Sequence, residues 1–398
     1  MLRLLLRFDS RKSFASPLRR ANHGPVRNTD KLASMTAERE IRILVPRLLD
    51  WFSESARDLP WRRTRDPYAI WVSEIMLQQT QVKTVIPYWE RWMRELPTIQ
   101  SAAKASPAKL HKLWEGLGYY TRVRNLQKAA QQIIARHHGK FPEKFDDIFA
   151  LAGIGRYTAG AICSIAFNQP TPILDGNVIR VLARVFGITT NPREKKTNTQ
   201  LWQLAESLVR NSSLITRHSS LSCSRLNQSL MELGALICTP RSPDCAVCPV
   251  QELCFARKHH LQEQIPHLGK RAATTNSHFI ALVVEHHGRF LARQRPAGIV
   301  NAHLWEFPNV EINGSPVSPE KLCETIVGST PTALEKLPAI KHSITRYRIT
   351  LEAWRADIGC LSSTKPKLPG RWLTSAQLQK LAFTSAHKKI LVRLEARR

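Results

Sequence analysis

Four cysteines fall within 17 residues, spaced Cys238-x6-Cys245-x2-Cys248-x5-Cys254. Thiols at this density either close around one metal centre or pair as disulfides, and both outcomes force the flanking chain to bring the loop to a point. The central Cys-x-x-Cys lets two sulfurs reach one site, and Pro240, Pro243 and Pro249 stiffen the run. Ligand chemistry alone leaves zinc and an iron–sulfur centre open. Zinc ribbons usually pair two Cys-x-x-Cys knuckles, and this run has one. Two disulfides would need an oxidising compartment. The other cysteines, Cys163, Cys223, Cys323 and Cys360, are scattered and no secretory signal precedes them. Such usage fits a reducing, intracellular compartment and one metal site.

Lys and Arg number 59 against 31 Asp and Glu, a net charge of +28 over 398 residues. A charge this large points to a polyanionic partner, because released counterions drive the binding. Composition alone does not choose between DNA and RNA. Hydrophobic residues make up 43% of the chain, enough for packed cores, and the length suits two or three domains. No apolar run is long enough to span a bilayer, so no membrane partner is expected. Residues 1–34 hold eight Lys or Arg against two Asp. They resemble an organelle transit peptide, but the favoured reading is a non-functional extension ahead of a start at Met35.

Residues 1–35 thus read as a basic, disordered extension. From 36 to 260 the chain reads helical. Ile41, Leu44, Val45, Leu48, Leu49 and Phe52 recur at helical spacing, as do Val123, Leu126, Ala130, Ile133 and Ile134. Asp66-Pro67 is a helix start, an N-cap acceptor followed by proline at the first turn. Residues 261–276 lose periodicity and read as a linker. After it the period changes, predicting a small α/β domain over 277–398. HFIALVV and RFLARQR pair around the turn EHHG, IKHSITRYRITLEAW alternates over Ile340–Trp354, and SPEKLCETIV and TSAHKKILVRL are helical.

Three features carry chemistry. The first is LAGIGRYTAGAI (151–162), with Gly153 and Gly155 two apart before an apolar helix. It resembles a helix–hairpin–helix, whose outward N–H groups hold phosphate oxygens without reading sequence. The second is Glu74, which shares a helix face with Ile70, Trp71 and Leu77. A carboxylate there is an ion-pair member, a wet stripe edge, or a protonated acid at a cavity mouth. The third is Asp175, an N-cap for the helix containing Val178, Ile179, Leu182 and Phe186. Backbone donors are expected to keep it ionised. One protonated and one ionised carboxyl are what cleavage of a glycosidic bond requires.

Taken together, RDPYAIWVSEIMLQQTQVKTVIPYWERW, LWEGLGYYTRVRNL, LAGIGRYTAGAI, LDGNVIRVLARV and the cysteine loop resemble the adenine DNA glycosylases of the MutY type over 36–260. These lie within the endonuclease III helix–hairpin–helix superfamily. The resemblance implies an all-α glycosylase module with an iron–sulfur loop followed by a Nudix-like domain. It also implies a four-iron, four-sulfur cluster on Cys238, Cys245, Cys248 and Cys254. The partner implied is double-stranded DNA in which adenine faces 8-oxoguanine or guanine, bound by a monomer, with adenine flipped from the duplex. Glu74 stands where the family's acid protonates adenine N7. Asp175 stands where the family stabilises the sugar cation, with Asn177 and Tyr157 in support. Trp61, Arg62 and Leu77 fall near the base pocket. Gln79 and Tyr119 fall where side chains enter the base stack, with Leu117 beside them.

Bifunctional relatives carry a nucleophilic lysine at the position of Tyr157, and a phenol cannot form a Schiff base. A monofunctional enzyme that leaves an abasic site is therefore expected, rather than a pyrimidine-lesion glycosylase with lyase activity. Retention of both carboxylates argues against a silent DNA-binding protein. The segment LARQRPAGIVNAHLWEFPNVE resembles the start of a Nudix domain, but the glutamate-rich metal-binding box is missing, so nucleotide hydrolysis is not expected. The family reads 8-oxoguanine through a Phe-Ser-His turn. Ile344, Thr345 and Arg346 stand there, and only Thr345 keeps the hydroxyl. At Ile179 some relatives place a basic residue facing DNA.

Overall fold

The computed structural model describes residues 28–215, 222–269, 273–312, 317–359 and 367–396. Residues 1–27 and Cys360 lie outside them, so the basic leader falls largely beyond the described chain. The first helix, Asn28–Ser55, begins inside the stretch expected to be an extension. Two compact units divide the described chain, one formed by residues 28–104 together with 125–269, the other by residues 105–124 together with the described residues from 273 onward.

The described part of the first unit is helical throughout, as its periodicity predicts. Ile41, Leu44, Val45 and Leu48 of the first helix are buried with Val178, Val181 and Leu182 of helix Gly176–Val185. Leu201, Leu208 and Val209 of Lys195–Ile215 join them, as do Leu226, Leu230 and Leu233 of Ser222–Leu236. Truncating one such leucine to alanine typically costs about 2–5 kcal/mol, because the packed surroundings relax only partly around the void. Cys238, Cys248 and Cys254 pack against this same core, next to buried Val250 and Ala256. The expected linker is shorter than 261–276. Ile265 is buried in this core and its carbonyl accepts from Arg184 Nε at 2.9 Å, while the first strand of the next unit already begins at Thr275.

The second unit contains a mixed sheet. Its strands are β1 (Thr275–His286), β2 (Arg289–Gln294), β3 (Trp305–Glu306), β4 (Asn309–Glu311), β5 (Ala333–Ile344), β6 (Tyr347–Asp357) and β7 (Arg371–Thr374). The order is β3-β2-β1-β6-β5, with β4 beside β1 and β7 beside β2. Among these seven strands only the β1–β6 pair is parallel. Successive residues of β1 point to opposite faces. Ala281 and Val283 are buried with Ile390 and Leu391 of helix Ser385–Glu395, whereas Ile280, Leu282 and Val284 are buried with Leu322 and Ile326 of helix Pro319–Val327. A helix thus packs on each face, which explains why IALVV reads as an unbroken apolar run.

The β1–β2 turn falls at His287-Gly288, both with positive φ, where EHHG predicts it. The alternation over Ile340–Trp354 is two strands, not one. The chain reverses at Thr345-Arg346, between the paired residues Ile344 and Tyr347. Side-chain alternation runs unbroken through this two-residue turn, and no glycine, asparagine or proline marks it.

Candidate active site

Asp66 accepts from the Tyr68 amide at 3.0 Å and Pro67 opens helix Pro67–Leu77, as their sequence predicts. Every side chain from Tyr68 to Met76 is buried, so the helix is apolar on all sides and carries Glu74 inward with it. Glu74 is 5% exposed. Its Oε2 accepts a 2.8 Å bond from the Tyr157 hydroxyl, which also lies 3.3 Å from Met231 Sδ. Burial pushes the Glu74 carboxyl up to about 7. The Tyr157 bond and the Arg62 charge oppose the rise, and the Asp175 charge adds to it. Burial, followed by the two carboxylates, raises the Tyr157 phenol well above its usual range.

Asp175 caps helix Gly176–Val185 as expected, with Oδ1 accepting from the Val178 amide at 2.7 Å. Its Oδ2 accepts from Asn177 Nδ2 at 3.1 Å. The backbone donors expected to favour its ionised form are in place, and burial acts against them. Burial outweighs the backbone donors from Val178 and Asn177, and the pKa lies above the ordinary carboxylate value. Asn177 is itself held, because Arg180 Nη2 donates to its Oδ1 at 2.8 Å. The same guanidinium donates to the carbonyls of Gly234 and Cys238, each at 2.7 Å. Gly234 is required at this crossing, since a Cβ there would stand 2.6 Å from Asn177 Cβ.

Trp61 is buried, with its indole edge-on to Trp89, and Leu77 is half-buried at the helix end. Arg62 is committed to an ion pair that sequence reasoning missed. Its Nη1 and Nη2 meet the two oxygens of Glu232 at 3.0 and 2.9 Å, and Arg57 makes a second fork at 2.8 and 2.6 Å. Glu232 is buried, which raises its pKa, but the bonds from Arg57 and Arg62 outweigh this and bring it down to about 2. The signal was present in MELGAL, a carboxylate on an apolar helix, but its partners lie 170 and 175 residues upstream.

Gly153 occupies left-handed backbone (φ 75) and a Cβ there would meet Asn125 Cβ at 2.6 Å, whereas Gly155 has open space and caps helix Arg156–Phe167. The first N–H groups of that helix have no intrahelical acceptor by geometry, which leaves them for an anion. Gln79, Tyr119 and Thr345 are all exposed, and all three hold positive φ (57, 48 and 52). Non-glycine residues in this region are strained, more so a β-branched threonine. Leu117 differs from its neighbour: it is buried, a packing residue rather than one presented to solvent.

The four cysteines of the loop line one cavity, walled by Val181, Val185, Leu233 and Val250. Arg184 Nη1 lies 3.4 Å from Cys238 Sγ and donates to the Thr239 carbonyl at 2.7 Å. Four thiols, one buried guanidinium and apolar walls suit an anionic iron–sulfur centre, with the charge of Arg184 offsetting that of the thiolates. The seven described cysteines are unpaired.

A helical hairpin beside a buried acid–phenol pair and a four-cysteine loop define an iron–sulfur DNA glycosylase of the helix–hairpin–helix class. Residues 72–207 match the HhH-GPD superfamily of base excision DNA repair proteins. Residues 238–254 match the iron–sulfur binding domain of endonuclease III, and 279–393 the NUDIX domain. The chain is 36% identical to the adenine DNA glycosylase of Rattus norvegicus over 86% of this chain and 76% of that protein. To the Homo sapiens protein it is 36% identical, over 86% and 72%. A thermostable thymine-DNA glycosylase of solved structure is 27% identical, with a TM-score of 0.50, covering 56% of this chain and 99% of that one. The chain belongs to the adenine DNA glycosylase family. It is a base-excision-repair enzyme that binds DNA and carries a [4Fe–4S] cluster on its cysteine loop.

Proposed function

We propose that the enzyme, acting as a monomer, hydrolyses the N-glycosidic bond of adenine paired with 8-oxoguanine or guanine and leaves an abasic site. The observation that carries this reading is Glu74, buried, bonded to Tyr157 and raised to about 7. At neutral pH a large fraction of such a group holds a proton, so it serves as a general acid where an ordinary glutamate would be ionised. Its proton goes to adenine N7, the C1′–N9 bond breaks, and the bonding electrons leave with adenine. The sugar cation that results faces Asp175, whose position Val178 and Asn177 fix. Water then adds to C1′ and returns a proton to the Glu74 carboxylate, which balances the cycle.

Tyr157 supports a monofunctional reaction, because its phenol orients Glu74 and cannot form an imine with the sugar. Thr345, exposed at its turn, is our candidate for contact with the opposite base. Gln79 and Tyr119 are candidates for entry into the base stack, and the Gly153–Gly155 hairpin for backbone contact. Unpaired thiols support an intracellular setting.

The test is single-turnover release of adenine from an A:8-oxoguanine duplex, with borohydride added in a parallel reaction. Release without strand nicking or a trapped adduct is expected. Efficient nicking with an adduct, or full activity in Glu74→Gln, would overturn the assignment.

A further inference from the structure

The loop that carries Tyr119 is braced from within. Trp114 Nε1 donates to the Gly118 carbonyl at 3.1 Å, and Arg122 Nη2 donates to the carbonyls of Leu117 and Gly118 at 2.9 and 3.1 Å. The Arg122 guanidinium also lies over the rings of both Trp114 and Tyr119, at 5.3 and 5.6 Å. Gly116 and Gly118 take positive φ, and the tip leaves Tyr119 47% exposed. A tip held this way presents its aromatic ring in one orientation instead of searching for it on contact with DNA.

The base of the loop is fastened differently. Glu115 Oε1 accepts from the amide of Phe383 at 2.8 Å, 268 residues away, and Oε2 pairs with Lys112 at 2.8 Å and with Lys388 at 3.8 Å. Lys112 in turn donates to the Leu381 carbonyl at 3.1 Å, and Arg124 to that of Ala302 at 3.2 Å. Leu381 and Phe383 precede helix Ser385–Glu395, which packs on the same sheet that ends in the Thr345 turn. The Glu115 side chain is 13% exposed, so its bonds are partly shielded from competing water.

We propose that Glu115 is a positioning residue that locks the Tyr119 tip to the sheet domain, so that discrimination of the base opposite adenine runs partly through this one carboxylate. The inference rests on the excision reading above. Its logic is that of a coupling between two recognition elements. A tip free to move relative to the Thr345 turn would insert equally well beside any pair, whereas a tip fastened to it inserts in register with what the turn contacts.

The experiment measures adenine release and dissociation constants on A:8-oxoguanine and A:G duplexes for the full chain, Glu115→Ala, Tyr119→Ser and the double variant. In Glu115→Ala we expect the ratio between the two duplexes to fall by about threefold to tenfold, the scale of one shielded hydrogen bond, with the iron content unchanged and the melting temperature lowered by only about 2–4 °C. In the Tyr119→Ser background, Glu115→Ala should change the ratio no further. Glu115→Gln, which keeps an acceptor for the Phe383 amide, should recover most of it. Should Glu115→Ala fail to fold, Lys112→Met carries the same comparison. An unchanged ratio, or additive effects of the two substitutions, would refute the coupling and leave the excision reading intact. A full chain that releases no adenine would instead refute the excision reading, and the binding ratios would still decide the coupling.

Discussion

At the scale of single residues, the site is organised by what burial does to charge. Glu74 is the clearest case. A carboxyl raised to about 7 in the fold destabilises the native state when it ionises. Its contribution is intact below the unfolded value near 4.5 and is lost as pH rises through about 7. Two outcomes follow for Glu74→Gln. Adenine release should drop by at least roughly 10²-fold, the scale of general-acid catalysis. Thermal stability at pH 8 should rise, because a neutral amide replaces a buried anion. In the parent chain, release should decline as pH climbs past about 7, visible in a single-turnover pH profile. Glu232 behaves oppositely. With its carboxyl brought down to about 2, its stabilisation is present above pH 4.5 and disappears only as pH falls through about 2. Arg180 is the residue to remove next. It holds Asn177 and the first cluster cysteine together. Arg180→Gln should lower the excision rate more than DNA affinity and reduce the iron bound per chain, measured by kinetics and metal analysis.

At the scale of elements, the glycines of the hairpin divide by geometry. Gly153→Ala introduces a Cβ against Asn125 at a left-handed position, and should cost about 1–3 kcal/mol and weaken DNA binding. Gly155→Ala meets open space with φ at −96 and loses only the N-cap preference of glycine, so it should cost no more than about 1 kcal/mol. Chemical denaturation of the two variants checks the contrast. The elements also show where sequence reading reaches and where it stops. The helix from Pro67, the cap at Asp175 and the β1–β2 turn announced themselves through local signals: a capping residue, a proline, a His-Gly pair. The reversal at Thr345-Arg346 carried no such signal, because alternation continues across a two-residue turn. The Glu232–Arg62–Arg57 cluster and the Arg180 clamp join parts of the chain that only tertiary packing brings together. The burial of Leu117 next to exposed Tyr119 depends on a fold around the loop that no local pattern encodes.

At the scale of the whole molecule, the cluster loop is part of the same core as helices Gly176–Val185 and Ser222–Leu236, since Cys238, Cys248 and Cys254 pack against the core that holds Val178, Leu182 and Leu233. Loss of one ligand should therefore unsettle more than the loop. Cys248→Ser is expected to reduce both folding yield and duplex affinity, followed by circular dichroism and a binding titration. A well-folded, tight-binding variant would show the cluster to be dispensable. The net charge of +28 belongs to this scale too, as a long-range pull on DNA that salt screens.

The assignment of residues 105–124 has a practical result for anyone cutting the gene in two. The obvious scissile stretch, near 270, separates the halves by sequence order but not by spatial ownership. An upstream fragment would strip Lys112, Glu115 and Arg124 of their bonds at Leu381, Phe383 and Ala302, and a downstream fragment would lack a strip of its own wall. Complementation by the two pieces, rather than independent activity of either, is what such a split would produce.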